Sequence, residues 1–125
     1  GLIREYVDPR TGALINPAAL QPGQLVEVRL ALVVPAEQRY VTIRDATPAG
    51  FVLVEALPDT VFSYVAASGG QLELSSAALP AGIYQYSYLA RAVHTGRYAA
   101  PSPEIILPGG QRLPGVATAI EVGIR

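Results

Sequence analysis

His94 is the single histidine of the chain, and there is no cysteine. One imidazole with no thiolate builds no zinc site without carboxylate help. No HxH or HExxH spacing surrounds it, so His94 reads as a surface residue beside the Thr95-Gly96 turn signal. Ser63, Ser68, Ser75, Ser76, Ser87 and Ser102 all lie outside any G-x-S-x-G elbow, the strained turn that presents a nucleophilic hydroxyl. Asp8, Asp45 and Asp59 are separated by turn signals, and no D-x-D-x-D loop is present to wrap calcium. Gly69-Gly70 and Gly109-Gly110 lack a following helix whose N-terminus would hold a phosphate. Nothing in the spacing brings two carboxylates together for acid–base work. Asp45, three residues before Pro48-Ala49-Gly50, is expected to cap that turn with its carboxylate. The chemistry-bearing residues therefore predict no catalytic centre, no metal and no cofactor, and the chain is read as non-enzymatic.

The bulk composition narrows the partners. The 125 residues suffice for one domain with one core, and 50% of them are hydrophobic. Charged residues make up 15% and the net charge is −1, which gives no electrostatic reason to expect nucleic acid or an anionic membrane. No apolar run approaches the roughly 20 residues that span a bilayer. All nine basic residues are Arg, and there is no Met, so a natural start is missing. Residues 1–125 are accordingly read as a single domain and a C-terminal fragment of a larger multidomain protein, whose parent carries any targeting signal.

Twelve Gly and eleven Pro punctuate short runs rich in Val, Ile, Leu and Tyr, a spacing of strands and turns. In Leu25–Val34, the residues Val26, Val28, Leu30, Leu32 and Val34 share one face, with Glu27 and Arg29 on the other. A period of two with one apolar face predicts a half-buried strand. Tyr40–Asp45 alternates likewise, and the short Pro35-Ala36-Glu37 link predicts a hairpin between the two. Strands are expected at Phe51–Ala56 and Val61–Ala66. Gln71–Leu79 is the best helical candidate. Ile83–His94 is the longest uninterrupted run, with Tyr84, Tyr86, Tyr88, Ala90 and Ala92 on one face; aromatics at strand spacing predict cross-strand packing. Arg97–Ala100 leads into Pro101 and Pro103, which cannot donate to a ladder and mark an edge or crossover. Val116–Ile124 is the last expected strand, and Leu2–Val7 is expected to join the domain rather than form a linker. Seven or more short strands in this length predict an all-β fold, a two-sheet antiparallel β-sandwich of macroglobulin-like or immunoglobulin-like type.

Four segments carry a family pattern in order: Pro22-Gly23-Gln24-Leu25-Val26-Glu27-Val28, Ile43-Arg44-Asp45-Ala46-Thr47-Pro48-Ala49-Gly50-Phe51, Leu79-Pro80-Ala81-Gly82-Ile83-Tyr84-Gln85-Tyr86-Ser87-Tyr88-Leu89-Ala90-Arg91-Ala92 and Thr95-Gly96-Arg97-Tyr98-Ala99-Ala100-Pro101. Their order and spacing resemble the C-terminal macroglobulin-like domain of bacterial α2-macroglobulins, whose patterns run pGelvrV, DxLPAGF, LPaGxyxYxYxxRA and tpGxfxxPp. The resemblance implies a part of a large protease-trapping inhibitor of the bacterial cell envelope, hence an extracytoplasmic location, periplasmic or at the cell surface. In that family a protease cuts a bait segment and the molecule rearranges around it. Many members hold a Cys-x-Glu-Gln thioester in a separate helical domain, which this cysteine-free chain does not contain. The C-terminal domain of such a protein supplies contacts that bias a two-state assembly. The implied partners are other domains of the same parent chain, with proteases met only through the full-length parent.

Thioester-bearing bacterial members carry Met-Tyr-x-Pro, or a close variant, after the Pro-rich crossover, and the Tyr shields the thioester. The matching stretch here is Glu104-Ile105-Ile106-Leu107-Pro108, with an aliphatic pair in place of Met-Tyr. Ile106 and Leu107 are thus the inter-domain contact candidates, with plain core packing as the alternative, and the departure implies a parent without the thioester. Vertebrate relatives use lysines of this domain for receptor recognition, a role that does not carry over to a chain without Lys.

Two rivals share the fold. A repeat unit of a bacterial surface adhesin or stalk would show near-copies of the same β-domain upstream, although Lys–Asn isopeptide staples are impossible with no Lys and only Asn16. A carbohydrate-binding sandwich would require Tyr84, Tyr86 and Tyr88 to face solvent in a row.

Overall fold

The computed structural model describes residues 2–47, 50–57, 62, 64–68, 71–114 and 118–122. Every regular element among them is a strand. In chain order these are β1 (Leu2–Val7), β2 (Leu25–Val34), β3 (Gln38–Ala46), β4 (Phe51–Ala56), β5 (Tyr64–Ser68), β6 (Gln71–Leu79), β7 (Gly82–Ala92), β8 (Gly96–Ala100), β9 (Glu104–Ile106), β10 (Arg112–Pro114) and β11 (Thr118–Val122). They form a four-stranded sheet in the order β1-β2-β7-β4, a five-stranded sheet in the order β10-β9-β3-β6-β5, and a two-stranded ribbon of β8 and β11. All pairings are antiparallel.

The period of two in the sequence becomes the inner face of each sheet. Val26, Val28, Leu30, Leu32 and Val34 of β2 are all buried, as are Val41 and Ile43 of β3 and Leu72 and Leu74 of β6. The tyrosine stripe turns inward: Tyr86 and Tyr88 are buried and Tyr84 is half-buried. A buried Tyr rather than Phe requires a partner for its hydroxyl. Tyr84 donates to the Pro80 carbonyl at 2.6 Å and Tyr86 to the Leu57 carbonyl at 2.6 Å. The Tyr86 ring also meets Phe62 edge-on, with centroids 6.4 Å apart. With the stripe inside, the aromatic platform of the carbohydrate-binding reading does not exist.

Three local expectations are corrected. β2 and β3 are not a hairpin. β2 is flanked by β1 and β7, while β3 pairs with β6 and β9, so Pro35–Glu37 carries the chain from one sheet to the other. Alternation fixes which side chains face the core but is the same for a hairpin and for a sheet-to-sheet crossing. Gln71–Leu79 is the strand β6, not a helix; Leu72, Leu74 and Ser76 are buried on a two-residue period, and Leu79 is buried at its end. Asp45 does not cap the following turn. It lies on the same phase as Val41 and Ile43 and is fully buried. Pro48 and Ala49, the 58–61 stretch, Ser63, Gly69-Gly70 and the ends of the expected Val116–Ile124 strand lie outside the described residues.

Candidate functional site: a buried arginine clasp and an apolar groove

Arg4 alternates with Leu2 and Tyr6 on β1, so the strand period drives a guanidinium into the core. A buried cation persists only when it is paired and hydrogen-bonded. Arg4 meets both conditions: one nitrogen donates to Oδ1 of Asp45, forming a salt bridge, and the other donates to the Pro101 carbonyl at 2.5 Å. Tyr88 of β7 completes the group by donating to Oδ2 of Asp45 at 2.6 Å. The clasp thus joins the four-stranded sheet (Arg4, Tyr88), the five-stranded sheet (Asp45) and the chain leaving the ribbon (Pro101). Burial lifts the Asp45 carboxyl above its ordinary value, outweighing the opposite pull of the Arg4 charge and of the hydrogen bonds from Tyr88 and Arg4. Burial, with the adjacent Asp45 charge, holds the Tyr88 phenol well above its ordinary value. Arg4 Nε is left as a buried donor without a partner, but the cluster is enclosed in the core, which suits it to holding elements together.

At one end of the sandwich the four sequence segments meet. Gly23 donates to the Ala92 carbonyl at 2.6 Å, and Arg91 Nη1 donates to the Gly23 carbonyl at 2.8 Å. The Gly50 carbonyl accepts from the amides of Val93 and His94 at 2.8 and 3.2 Å. The Tyr98 ring lies so close to Gly50 that a Cβ there would sit 2.5 Å from Cε2, and the Tyr98 hydroxyl donates to the Thr95 carbonyl at 3.0 Å. His94 is exposed beside this junction. Among the described residues no three His, Cys, Asp or Glu side chains gather as metal ligands, and no helix is long and apolar enough to cross a membrane.

The opposite end holds an open apolar groove of about 190 Å³, lined by residues that include Leu32, Val34, Val41, Leu79, Ile105 and Leu107. An apolar cavity of roughly 150 Å³ accommodates a benzene, so this space suits one aromatic or branched side chain. Leu107 opens the tight turn between β9 and β10, its amide donating to the Gln111 carbonyl at 2.8 Å. It is half-buried, packs against the core and forms part of the groove wall. Ile106 is half-buried too but does not line the groove, and the deeply buried residue of the segment is Ile105. Val33 also lines the groove and pairs with Ile83 on the outer face of the four-stranded sheet. Val33 is 49% exposed and Ile83 76% exposed, so apolar surface continues from the groove around the end of the sandwich. Sequence reading singled out Ile106 and Leu107 but missed Val33 and Ile83. Their signal was a large apolar residue on the outward phase of a strand, the phase of Glu27 and Arg29 in β2 and of Gln85 and Ser87 in β7.

Residues 3–106 match the bacterial alpha-2-macroglobulin MG10 domain. An alpha-2-macroglobulin homolog of Nostoc sp. is 28% identical over 107 residues, which is 76% of this chain and 6% of that protein. The native conformation of Escherichia coli alpha-2-macroglobulin matches with a TM-score of 0.82 at 20% identity, covering 98% of this chain and 9% of that one. The Salmonella alpha-2-macroglobulin mutant Y1175G matches with a TM-score of 0.79 at 20% identity, covering 97% of this chain and 9% of that one. The C-terminal domain of the Streptococcus pyogenes antigen I/II-family protein AspA shares the fold more loosely, with a TM-score of 0.65 at 14% identity over 96% of this chain and 46% of its own. The chain therefore spans less than a tenth of each of these three alpha-2-macroglobulins.

Proposed function

This chain belongs to the bacterial alpha-2-macroglobulin family as a macroglobulin-like domain, and on that premise we propose that it is a non-catalytic docking module of a protease-trapping inhibitor. Residues 1–125 act as one domain of a longer, extracytoplasmic chain. The domain performs no chemistry; it contacts other domains of its parent and so biases the parent's conformational state. The observation that carries this reading is the apolar groove beside Leu107, continuous with exposed Val33 and Ile83. A contiguous apolar surface of this kind marks an interaction site. The occupant is another domain of the same parent, because the relatives hold this domain inside chains more than ten times its length.

The test uses the full-length parent with Ile83→Glu, Leu107→Asp, and both. Native electrophoresis follows the conformational state, and a protease-capture assay follows function. The expected result is a shift toward the cleaved-like form before any protease is added, together with weaker capture. Unchanged mobility and capture in the double variant would remove the docking role. The adhesin-repeat reading has less support, resting on the 0.65 match to AspA against 0.79–0.82 for the alpha-2-macroglobulins. Because Ile106 and Leu107 stand where a shielding Tyr is expected, the parent is proposed to lack a reactive thioester. A mass gain on incubating it with methylamine would contradict that.

A further inference from the structure

β9 is three residues long and is reached through Pro101-Ser102-Pro103, in which two of three positions have no amide to donate. Its pairing with β3 has only the rungs Thr42–Ile106, Ile43–Ile105 and Arg44–Glu104, and its other neighbour β10 is equally short. A ladder this brief does not define its own register, and a slip of one residue would exchange the inward and outward positions. Ile105 would leave the core, Ile106 would enter it, and Leu107 would turn away from the groove. Burial of Ile105 favours the observed register, and a contact outside so brief a ladder can lock it.

Asp45 follows Arg44 on β3, and Pro103 precedes Glu104 on the facing strand, so the clasp sits just beyond the last rung. Arg4 holds both sides there, Asp45 on β3 and the Pro101 carbonyl on the incoming chain. Its planar guanidinium directs separate N–H groups to two acceptors, which a single ammonium does not reproduce. We infer that Arg4 is a positioning residue that fixes the register of β9 and thereby aims Leu107 at the groove. The functional meaning of this role rests on the docking reading of Leu107; the role itself does not.

Hydrogen exchange on the 125-residue chain tests it in three variants. Arg4→Lys keeps a cation for Asp45 but gives up the bond to Pro101. Arg4→Met with Asp45→Leu removes both buried charges and keeps an apolar interior, so a foldable sample exists even where the lysine variant does not fold. Tyr88→Phe weakens the clasp without touching Pro101. The loss of a charged hydrogen bond predicts roughly tenfold or faster exchange at the amides of residues 104–107, relative to those of β2 and β7, in the Arg4 variants. Methyl contacts between Ile105 and Ile43 weaken in parallel, while Tyr88→Phe leaves β9 exchange in step with the core. Exchange of β9 that tracks the core equally in all variants, with Ile105–Ile43 contacts intact, overturns the inference. Failure of the docking variants in the parent, with selective β9 exchange retained here, would instead fault the docking reading alone.

Discussion

Tyr88 on β7 and Asp45 on β3 share a hydrogen bond of 2.6 Å across the interior of the sandwich, with neither side chain in contact with solvent. Burial and the carboxylate together hold the phenol above its usual value of 10.0. The folded protein therefore keeps a proton that the unfolded chain releases. Stability from this group is complete below about pH 10 and is lost as pH rises through the higher folded-state value. Tyrosinate absorbance is expected to show Tyr88 ionising only together with alkaline unfolding, and Tyr88→Phe is expected to flatten that part of the pH dependence. A titration of all seven tyrosines in the ordinary range, with the fold intact by circular dichroism, would contradict it.

Asp45→Leu alone leaves the Arg4 cation buried without its counterion and is expected to destabilise by about 3–5 kcal/mol in urea unfolding. Adding Arg4→Met should recover most of that loss, since a buried pair replaced by apolar groups is often neutral. The wild-type carboxyl, raised by burial, binds its proton more readily in the fold than in the unfolded chain. Its contribution is thus greatest below 3.8 and declines as pH rises through its folded value. Asp45→Asn should remove that downward slope from unfolding curves measured across the acid range.

Gly50 has φ +87° and faces the Tyr98 ring at less than a side chain's clearance. Gly50→Ala is expected to cost about 1–3 kcal/mol from backbone strain, plus the displacement of Tyr98. Tyr98→Ala in the same chain should relieve the collision and leave the strain, so a double-mutant cycle reads a favourable coupling. Additive losses would mean that the ring and the glycine act independently.

Tyr40 is the one described non-glycine residue with positive φ, at +54°, and it is 70% exposed. The β3–β6 pairing passes from Arg39 to Val41 without it. Tyr40→Asn should stabilise the chain by up to about 1 kcal/mol in chemical unfolding, because Asn tolerates this region far better than an aromatic residue does. An equal or lower midpoint would show that the ring's packing outweighs the strain.

Much of this architecture was legible. β2 was readable because five apolar residues recur on one phase with Glu27 and Arg29 between them, and the tyrosine run announced β7. Strand partners were not readable. Pro35-Ala36-Glu37 is short enough for a hairpin, yet both edges of β2 are taken by strands distant from β3 in sequence. Gln71–Leu79 misled because its paired Ser and Ala residues blur the alternation that Leu72 and Leu74 keep. The clasp was hidden by treating Asp45 as turn chemistry, although Arg4 and Asp45 both stand on the inward phase of their strands, and two opposite charges on inward phases are a signal that they meet. Ile106 and Leu107 were found by family pattern alone; the groove depends on six strand ends and linkers converging, which no local spacing records.

The crossing of Pro35–Glu37 between sheets also governs how quickly the chain can reach this state. β2 waits for β7, β3 waits for β6 and β9, and β8 waits for β11, so loop closure must be met before most ladders form. Chains dominated by such distant pairings fold in roughly milliseconds to seconds rather than microseconds. During synthesis from the N-terminus, β2 would carry an open edge until β7 had emerged, an interval in which that edge is exposed to wrong pairing.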